Sequence, residues 1–227
     1  MLLPLGAMLL MGSFGVHAQT TNTTDVKSLN PVTIVEKAEE SQGKDSLRAT
    51  TTTIGKGKQE LRDIPQSITV VTEKLVDDRN LDTLKDVLHN TAGVTFQAAE
   101  GGEEDIRLRG FSLATSGDIF IDGMRDAAFY ERDTFNNDRI ELLRGSASML
   151  FGRGSTGGAV NQVSKQPRAI DESELTTTLG SYNYRRVTGD FNIRTGEDAG
   201  LRITAMATKA DSNGAGSSID KRGMAAA

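Results

Sequence analysis

The feature that most constrains the fold is a glycine-rich run at residues 139–165, RIELLRGSASMLFGRGSTGGAVNQVSK. Its segment GRGSTG at 152–157 satisfies the G-x-G-x-x-G pattern of dinucleotide-binding proteins. That pattern holds a pyrophosphate only where it follows a strand and opens a helix. Here the order is reversed, because a short helical piece at 147–151 precedes the glycines and an alternating strand at 159–163 follows them. Gly158 also stands where a P-loop needs lysine, so the run indicates a turn and not a nucleotide site.

Four further blocks precede this run in a fixed order. They are DIPQSITVVT at 63–72, LDTLKDVLHNTAGV at 81–94, IRLRGF at 106–111 and IFIDGM at 119–124. Together with the run they closely resemble the plug domain of TonB-dependent outer-membrane siderophore receptors, over residues 29–212. One departure is Ser146, where that family usually has proline. The resemblance implies an α+β plug domain with a small mixed sheet, followed by the first strands of an incomplete transmembrane β-barrel.

Composition excludes several other classes of protein. The net charge of −5 and pI near 5.2 lack the basic footprint of a nucleic-acid-binding protein. The sequence has no cysteine, which excludes disulfides and thiolate metal sites. Of the two histidines, His89 falls late in an amphipathic helix, where a surface position near the helix end suits it. No nucleophile–base pair stands out, so we expect no enzyme, no protein-held metal and no cofactor.

The N-terminal region has two parts. Residues 1–18 are apolar and end in a small-residue cleavage pattern, which predicts a signal peptide. They lack the usual basic start, so the true start codon could lie upstream. Residues 19–58 are rich in threonine, serine, asparagine and charge, which predicts a flexible periplasmic arm. No later segment has 18 consecutive apolar residues, so no spanning helix is predicted.

A β-prone island, PVTIV at 31–35, interrupts the arm. An extended apolar segment in a flexible arm is suited to pairing with the sheet edge of a partner. The resemblance makes residues 31–36 the TonB box, the segment that is bound by the TonB protein of the inner-membrane energy-transducing complex. The residues expected to bind TonB are Val32, Thr33, Ile34 and Val35.

Residues 59–168 carry the predicted plug. Its elements are a strand at 67–71, a helix at 73–79 capped by Thr72, a helix at 81–89 capped by Asn80, a turn at 122–123 and short strands at 94–96, 106–108, 119–121 and 140–143. From residue 169 the texture changes to long alternating segments at 174–182, 185–193 and 201–208, as in outer-membrane barrel strands. A plugged transporter needs about 22 strands. We therefore expect residues 169–227 to be a truncated barrel, and the chain to be an N-terminal fragment.

Two residue sets receive roles from the resemblance. In that family, matching charged residues pair with the inner barrel wall, which here are Arg107, Arg139, Glu141, Arg144 and Arg153. A ferric siderophore is a bulky, often anionic chelate, for which arginine donors and aromatic rings are suitable. The expected ligand contacts are Arg109, Arg125, Phe129, Tyr130, Arg132 and Phe135. The iron arrives already chelated, so no protein metal ligands are required.

The function implied by the resemblance is uptake of a ferric siderophore across the Gram-negative outer membrane, energised through TonB. The catecholate-siderophore receptors are the most similar subgroup. One alternative is a soluble plug-like binding module. Another is a signalling receptor, although residues 19–30 are too few for the extra folded domain that such receptors carry before the TonB box.

Overall fold

The computed structural model describes residues 44–97, 105–127, 130–152, 156–211 and 216–227. The predicted signal peptide, the predicted TonB box at Val32–Val35, Phe129 and Arg153 lie outside the described residues. Among those described, the longest helices have six residues, and none could cross a membrane. We call residues 44–168 the plug unit, and the four strands after it the C-terminal sheet.

Within the described ranges, the plug unit combines short strands with four short α-helices, and the C-terminal sheet has longer strands. In chain order the elements are β1 (Thr51–Thr52), β2 (Gln59–Glu60), a 3-10 turn (Leu61–Asp63), β3 (Ser67–Thr72), α1 (Glu73–Asp78), α2 (Leu84–His89), β4 (Val94–Gln97), β5 (Asp105–Leu108), β6 (Phe111–Ser112), α3 (Leu113–Ser116), β7 (Ile119–Ile121), β8 (Met124–Arg125), β9 (Asn137–Arg144), α4 (Ser148–Phe151), β10 (Gly158–Ser164), β11 (Glu172–Leu179), β12 (Arg185–Arg194), β13 (Gly200–Asp211) and β14 (Ser218–Ala226).

The centre of the plug unit is a five-stranded mixed sheet in the order β3-β9-β10-β7-β8. β10 runs parallel to β7, and the other pairs are antiparallel. Ile140 and Leu142 of β9 pack against the apolar faces of α1 and α2 in the main core. Asp122 and Gly123 both have positive φ, as expected of the tight turn that joins β7 and β8. The predicted small mixed sheet is confirmed.

The start of α2 differs from the prediction. Thr83 is the N-cap, and it forms a capping box in which its hydroxyl accepts from the Asp86 amide while the Asp86 carboxylate accepts from the Thr83 amide. Asn80 adopts a left-handed conformation at the end of α1 instead of capping α2. The sequence T-x-x-D carried this signal. Thr72 does hold the N-cap position of α1, but its side chain makes no capping hydrogen bond.

The predicted arm is shorter than expected at its C-terminal end. Thr51 and Thr52 are buried and pair with β2, and Ile54 is 2% exposed in a second core cluster with Phe120 and Leu143. Composition alone suggested an arm up to residue 58, because one isoleucine among threonines carries no periodic signal. The backbone pairing and the burial of Ile54 place the start of the plug unit before the predicted boundary at 59.

The C-terminal sheet is an antiparallel meander in the order β11-β12-β13-β14. Along β13 burial alternates, with Arg202, Thr204 and Thr208 buried while Leu201 is exposed. This confirms the predicted two-faced strand. β14 was not predicted, because its charged, glycine- and alanine-rich sequence has low β propensity. It pairs with β13 over nine residue positions.

The glycine run has the element order that the sequence indicated, with α4 before it and β10 after it. We therefore expect residues 152–158 to bind neither NAD nor ATP with a dissociation constant below about 1 mM, equivalent to about −4 kcal/mol. No helix N-terminus among the described elements opens on the glycines to receive a phosphate. Isothermal titration of the purified chain with each nucleotide measures this, and saturable binding in the micromolar range would contradict it.

Candidate functional site

The first candidate site is a buried ion network that joins the plug unit to the C-terminal sheet. Glu73, at the start of α1, accepts from Lys165 at 2.9 Å, from Arg168 at 3.0 Å and from Arg202 at 3.4 Å. Asp190 on β12 binds the same Lys165 at 3.0 Å and Arg202 at 2.6 Å. We call these five residues the Glu73 cluster. Because each carboxylate is shared by cations from both sides, the cluster ties α1 and β10 to β12 and β13.

A second network, the Arg186 cluster, consists of Asp82, Asp133, Tyr184, Arg186 and Thr208. Arg186 of β12 binds two carboxylates of the plug unit. Its Nη1 and Nη2 donate to the two Asp133 oxygens at 2.8 and 2.6 Å, and its Nε lies 3.1 Å from Asp82 Oδ1. It also donates to Thr208 at 2.9 Å, and the Tyr184 hydroxyl donates to Asp82. The Arg186 side chain is 5% exposed. A bidentate arginine–carboxylate pair at this depth fixes geometry as well as charge.

Apolar shape and further polar contacts complete the interface. A Cβ added to Gly223 of β14 would lie 2.9 Å from the Phe135 ring, so only glycine leaves room for this aromatic contact. Next to it, Thr204 donates to Asn136 at 2.9 Å. Ion pairs also join Lys44 to Glu174 and Lys221 to Glu131. The predicted ligand residue Phe135 therefore packs against the C-terminal sheet.

A cleft of about 330 Å³ lies between α1 and the C-terminal sheet. Its lining includes Glu73 and Asp190 from the first cluster and Arg186 from the second. Burial raises the pKa of Asp77 on the cleft wall above its ordinary value, although the charge of Lys165 opposes this. The two clusters therefore border a shared cavity.

Of the five residues predicted to bind the barrel wall, Arg107, Arg139, Glu141 and Arg144 lie in the part of the chain that the structure describes. Arg107 binds Asp105 at 3.2 Å, and Arg139 binds Asp138 at 2.9 Å and Glu141 at 3.0 Å. Arg144 donates to the Ala92 carbonyl and to the Thr69 hydroxyl. Burial lowers the pKa of its guanidinium, and the positive charge of Arg109 lowers it further.

These contacts all lie within the plug unit. Within the described strands, the sheet is bound instead by the Glu73 and Arg186 clusters, which the sequence reasoning missed. The sequence did contain a signal for these two clusters, because Arg186, Asp190 and Arg202 fall on the polar face of strands with alternating polarity. A wall contact for Arg107, Arg139, Glu141, Arg144 and Arg153 stays a prediction.

Asp126 organises the described part of the candidate ligand loop, residues 125–127 and 130–132. Its carboxylate accepts from Arg132 at 2.7 Å and from the Tyr130 hydroxyl at 2.6 Å. Arg132 is 2% exposed, donates to the backbone carbonyls of Tyr130 and Ala127, and stacks 4.2 Å from the Tyr130 ring centroid. Its guanidinium thus builds the loop, which leaves little of it for a ligand.

Three further predicted ligand residues have exposed side chains. Tyr130 is exposed, and exposed Arg125 donates to the Phe151 carbonyl at 3.1 Å, which ties β8 to α4. Arg109 is exposed in a tight turn with Gly110, where both residues have positive φ. Of the five predicted ligand residues that the structure describes, three, Arg109, Arg125 and Tyr130, thus lie at the surface.

The comparisons with known proteins agree with this architecture. Residues 60–159 match the family model described as TonB-dependent Receptor Plug Domain. The chain carries the plug domain of a TonB-dependent receptor. It is 36% identical over 152 residues to the probable TonB-dependent receptor BfrD of Bordetella pertussis, covering 66% of this chain and 20% of BfrD. It is 35% identical over 152 residues to the catecholate siderophore receptor Fiu of Escherichia coli K12, covering 65% and 20%.

The likeness extends beyond the plug. The probable TonB-dependent siderophore receptor PiuA of Acinetobacter baumannii is 32% identical over 200 residues, 87% of this chain and 26% of PiuA, so the alignment reaches into the C-terminal sheet. The PiuA crystal structure superposes with a TM-score of 0.72 at 29% identity over 81% of this chain and 26% of that chain. For the closed form of Fiu the TM-score is 0.73 at 31% identity, over 79% and 26%. The chain spans about a quarter or less of these relatives.

Proposed function

We propose that this chain is the N-terminal part of a transporter that takes up a ferric siderophore across the outer membrane. The observation that carries the proposal is the inverted polarity of the C-terminal sheet. Its buried face presents Arg186, Arg202 and Thr204 to the plug unit, whereas Leu175, Val187, Phe191, Ile193 and Leu201 are exposed on the other face. Apolar-out and polar-in is the arrangement of a strand that faces lipid on one side and a plug on the other.

The proposed ligand is a ferric siderophore, with the catecholate class favoured by the likeness to Fiu. Arg109, Arg125 and Tyr130 offer exposed guanidinium and phenol groups of the kind that bind anionic aromatic chelates. Phe129 belongs to the same loop in sequence. Because TonB-dependent receptors are transporters, we assign no catalytic residue, and iron enters as the cargo in its chelated form.

Coupling to TonB is assigned to Val32–Val35, which precede the first described residue by several positions. An apolar, β-branched segment adds readily as a strand to the edge of a partner sheet, because the pairing uses backbone groups. In this proposal ligand binding outside releases the arm inside. TonB then pulls on Val32–Val35, using the proton-motive force of the inner membrane.

We expect Ile34→Pro in the full-length receptor to abolish iron uptake and to leave siderophore binding at the cell surface unchanged. Proline removes one backbone donor and fixes φ near −65°, which breaks strand addition to TonB. The measurement pairs retention of a labelled ferric tris-catecholate on cells with iron accumulation inside them.

The matched control is Ile34→Ala, which keeps the backbone donor and should impair uptake less than proline does. Normal accumulation in the proline variant would show that residues 32–35 are not the coupling segment. Loss of surface retention in both variants would point to a defect in folding or export.

A further inference from the structure

A buried carboxylate connects the N-terminal segment of the plug unit to its central sheet. Glu141 of β9 is 0% exposed, and the Thr53 hydroxyl lies within hydrogen-bond reach of both of its oxygens, at 3.3 and 3.4 Å. Oε1 accepts from the Thr53 amide at 2.8 Å and from Arg139 Nε at 3.0 Å. Oε2 accepts from Asn161 Nδ2 at 3.0 Å. The carboxylate therefore bridges the segment that leads back to the predicted TonB box and strand β10.

Asn161 extends this connection to the far side of the sheet. It is 1% exposed, and while its amide nitrogen donates to Glu141, its oxygen accepts from the Gly123 amide at 2.9 Å. Gly123 lies in the β7–β8 turn, three residues before Asp126, which organises the candidate ligand loop. A chain of hydrogen bonds thus runs from Thr53 through Glu141 and Asn161 to the β7–β8 turn, which β8 joins to this loop.

We propose that Glu141 and Asn161 are positioning residues that couple the candidate ligand loop to the N-terminal segment at Thr53. The inference rests on the proposed function and adds a route for its coupling. Asn161 gives this chain of hydrogen bonds its direction, because turning its amide over would set its nitrogen against the Gly123 amide and its oxygen against the Glu141 carboxylate. Such contacts are costly in a buried network. A ligand that shifts the β7–β8 turn away from Asn161 therefore loosens the hold of Glu141 on Thr53, and by linkage the reverse also holds.

A polarity swap between positions 141 and 161 tests this route. In Glu141→Gln the new amide nitrogen meets a donor on one side, whichever way it is oriented. In Asn161→Asp two carboxylates face each other. In the double variant the introduced glutamine donates to the introduced aspartate, which still accepts from the Gly123 amide, and the total charge equals that of the natural pair. The buried control on the same strand is Gln162→Met, whose parent side chain is 3% exposed and lies outside this chain of hydrogen bonds.

The first measurement uses the 227-residue chain without ligand. We expect each single variant to speed amide hydrogen exchange by about tenfold, the loss of one buried hydrogen bond, both at 50–58 and at 119–126. The double variant should return both segments to within about threefold of the natural chain, and Gln162→Met should leave the 50–58 segment unchanged. The route would be overturned if a single variant changed amide exchange in only one of the two segments. It would also be overturned if the double variant exchanged as fast as the single variants.

The second measurement uses the full-length receptor with a ferric tris-catecholate as the probe. We expect the probe to speed exchange at 50–58 in the natural receptor and in the double variant, and not in either single variant, with probe affinity kept within about threefold throughout. A probe response that survives in both single variants would contradict the coupling role. If the natural receptor bound no probe, the proposed ligand class would fail, and the ligand-free measurement would still decide whether the two segments are coupled.

Discussion

Replacing Arg186 by methionine should weaken the attachment of the C-terminal sheet to the plug unit by about 3 kcal/mol, the lower end of the cost of breaking a buried ion pair. The substitution keeps an unbranched apolar stem but leaves Asp82 and Asp133 facing each other without their shared cation. The lower end applies because the Asp82 side chain is 29% exposed and can regain water. The loss should appear as faster hydrogen exchange at 81–83 and 131–134 in the full-length receptor, and as a lower melting temperature.

Two comparisons separate the buried cluster from a general effect of removing arginine. Arg185→Met changes the neighbouring, exposed residue on the opposite face of β12 and should cost less than about 0.5 kcal/mol. The triple variant Arg186→Met with Asp82→Asn and Asp133→Asn removes the stranded charges and should recover most of the loss, because a complete buried pair contributes little net stability. If the Arg186→Met variant had the same melting temperature as the natural receptor, the Arg186 cluster would not attach the C-terminal sheet to the plug unit.

The sequence predicted those elements whose signals are local. The alternation of β13, the tight turn at Asp122–Gly123 and the short strands of the central sheet all follow from spacing within a few residues. The capping box at Thr83 was equally local and could have been found from the T-x-x-D pattern.

The partners of the charged residues could not be predicted in the same way. Arg186 meets Asp82 and Asp133, which belong to different parts of the plug unit and are far from it in sequence. Which carboxylates converge on one arginine depends on how the plug unit rests against the sheet, and that is decided by the packing of many side chains. The alternation along β12 allows the prediction that Arg186 faces inward, but it does not identify the carboxylates that Arg186 binds.

The N-terminal segment and β14 show a second limit. Ile54 fills a gap beside Phe120 although its neighbours are polar, and β14 forms although few of its residues favour strands. In both cases a neighbouring strand supplies hydrogen bonds that a single sequence window does not show. Tertiary context therefore overrides weak local propensity at the two ends of the described chain.

The last two glycines of the glycine-rich run allow close packing of strands. At Gly158, φ is +138°, and an added Cβ would lie 2.0 Å from the Leu143 carbonyl oxygen and 2.5 Å from a Leu108 methyl. At Gly157 an added Cβ would lie 2.5 Å from the Leu108 carbonyl oxygen. These two glycines let β10 begin against the backbone of β9 and β5, which larger residues would push apart.

We therefore expect Gly158→Ala to destabilise the chain by about 3 kcal/mol or more, combining backbone strain of about 1–3 kcal/mol with overpacking of about 1–3 kcal/mol. Gly152→Ala isolates the strain, because φ there is +82° and an added Cβ meets nothing within 4 Å. Gly57→Ala has neither a positive φ nor a neighbour within 4 Å and should be nearly neutral. Urea unfolding followed by circular dichroism should rank the midpoints Gly57→Ala, Gly152→Ala and Gly158→Ala from highest to lowest. Equal urea midpoints for Gly158→Ala and Gly57→Ala would contradict this prediction. They would mean that the start of β10 moves away from Leu143 at little cost, so that tight packing does not explain the paired glycines.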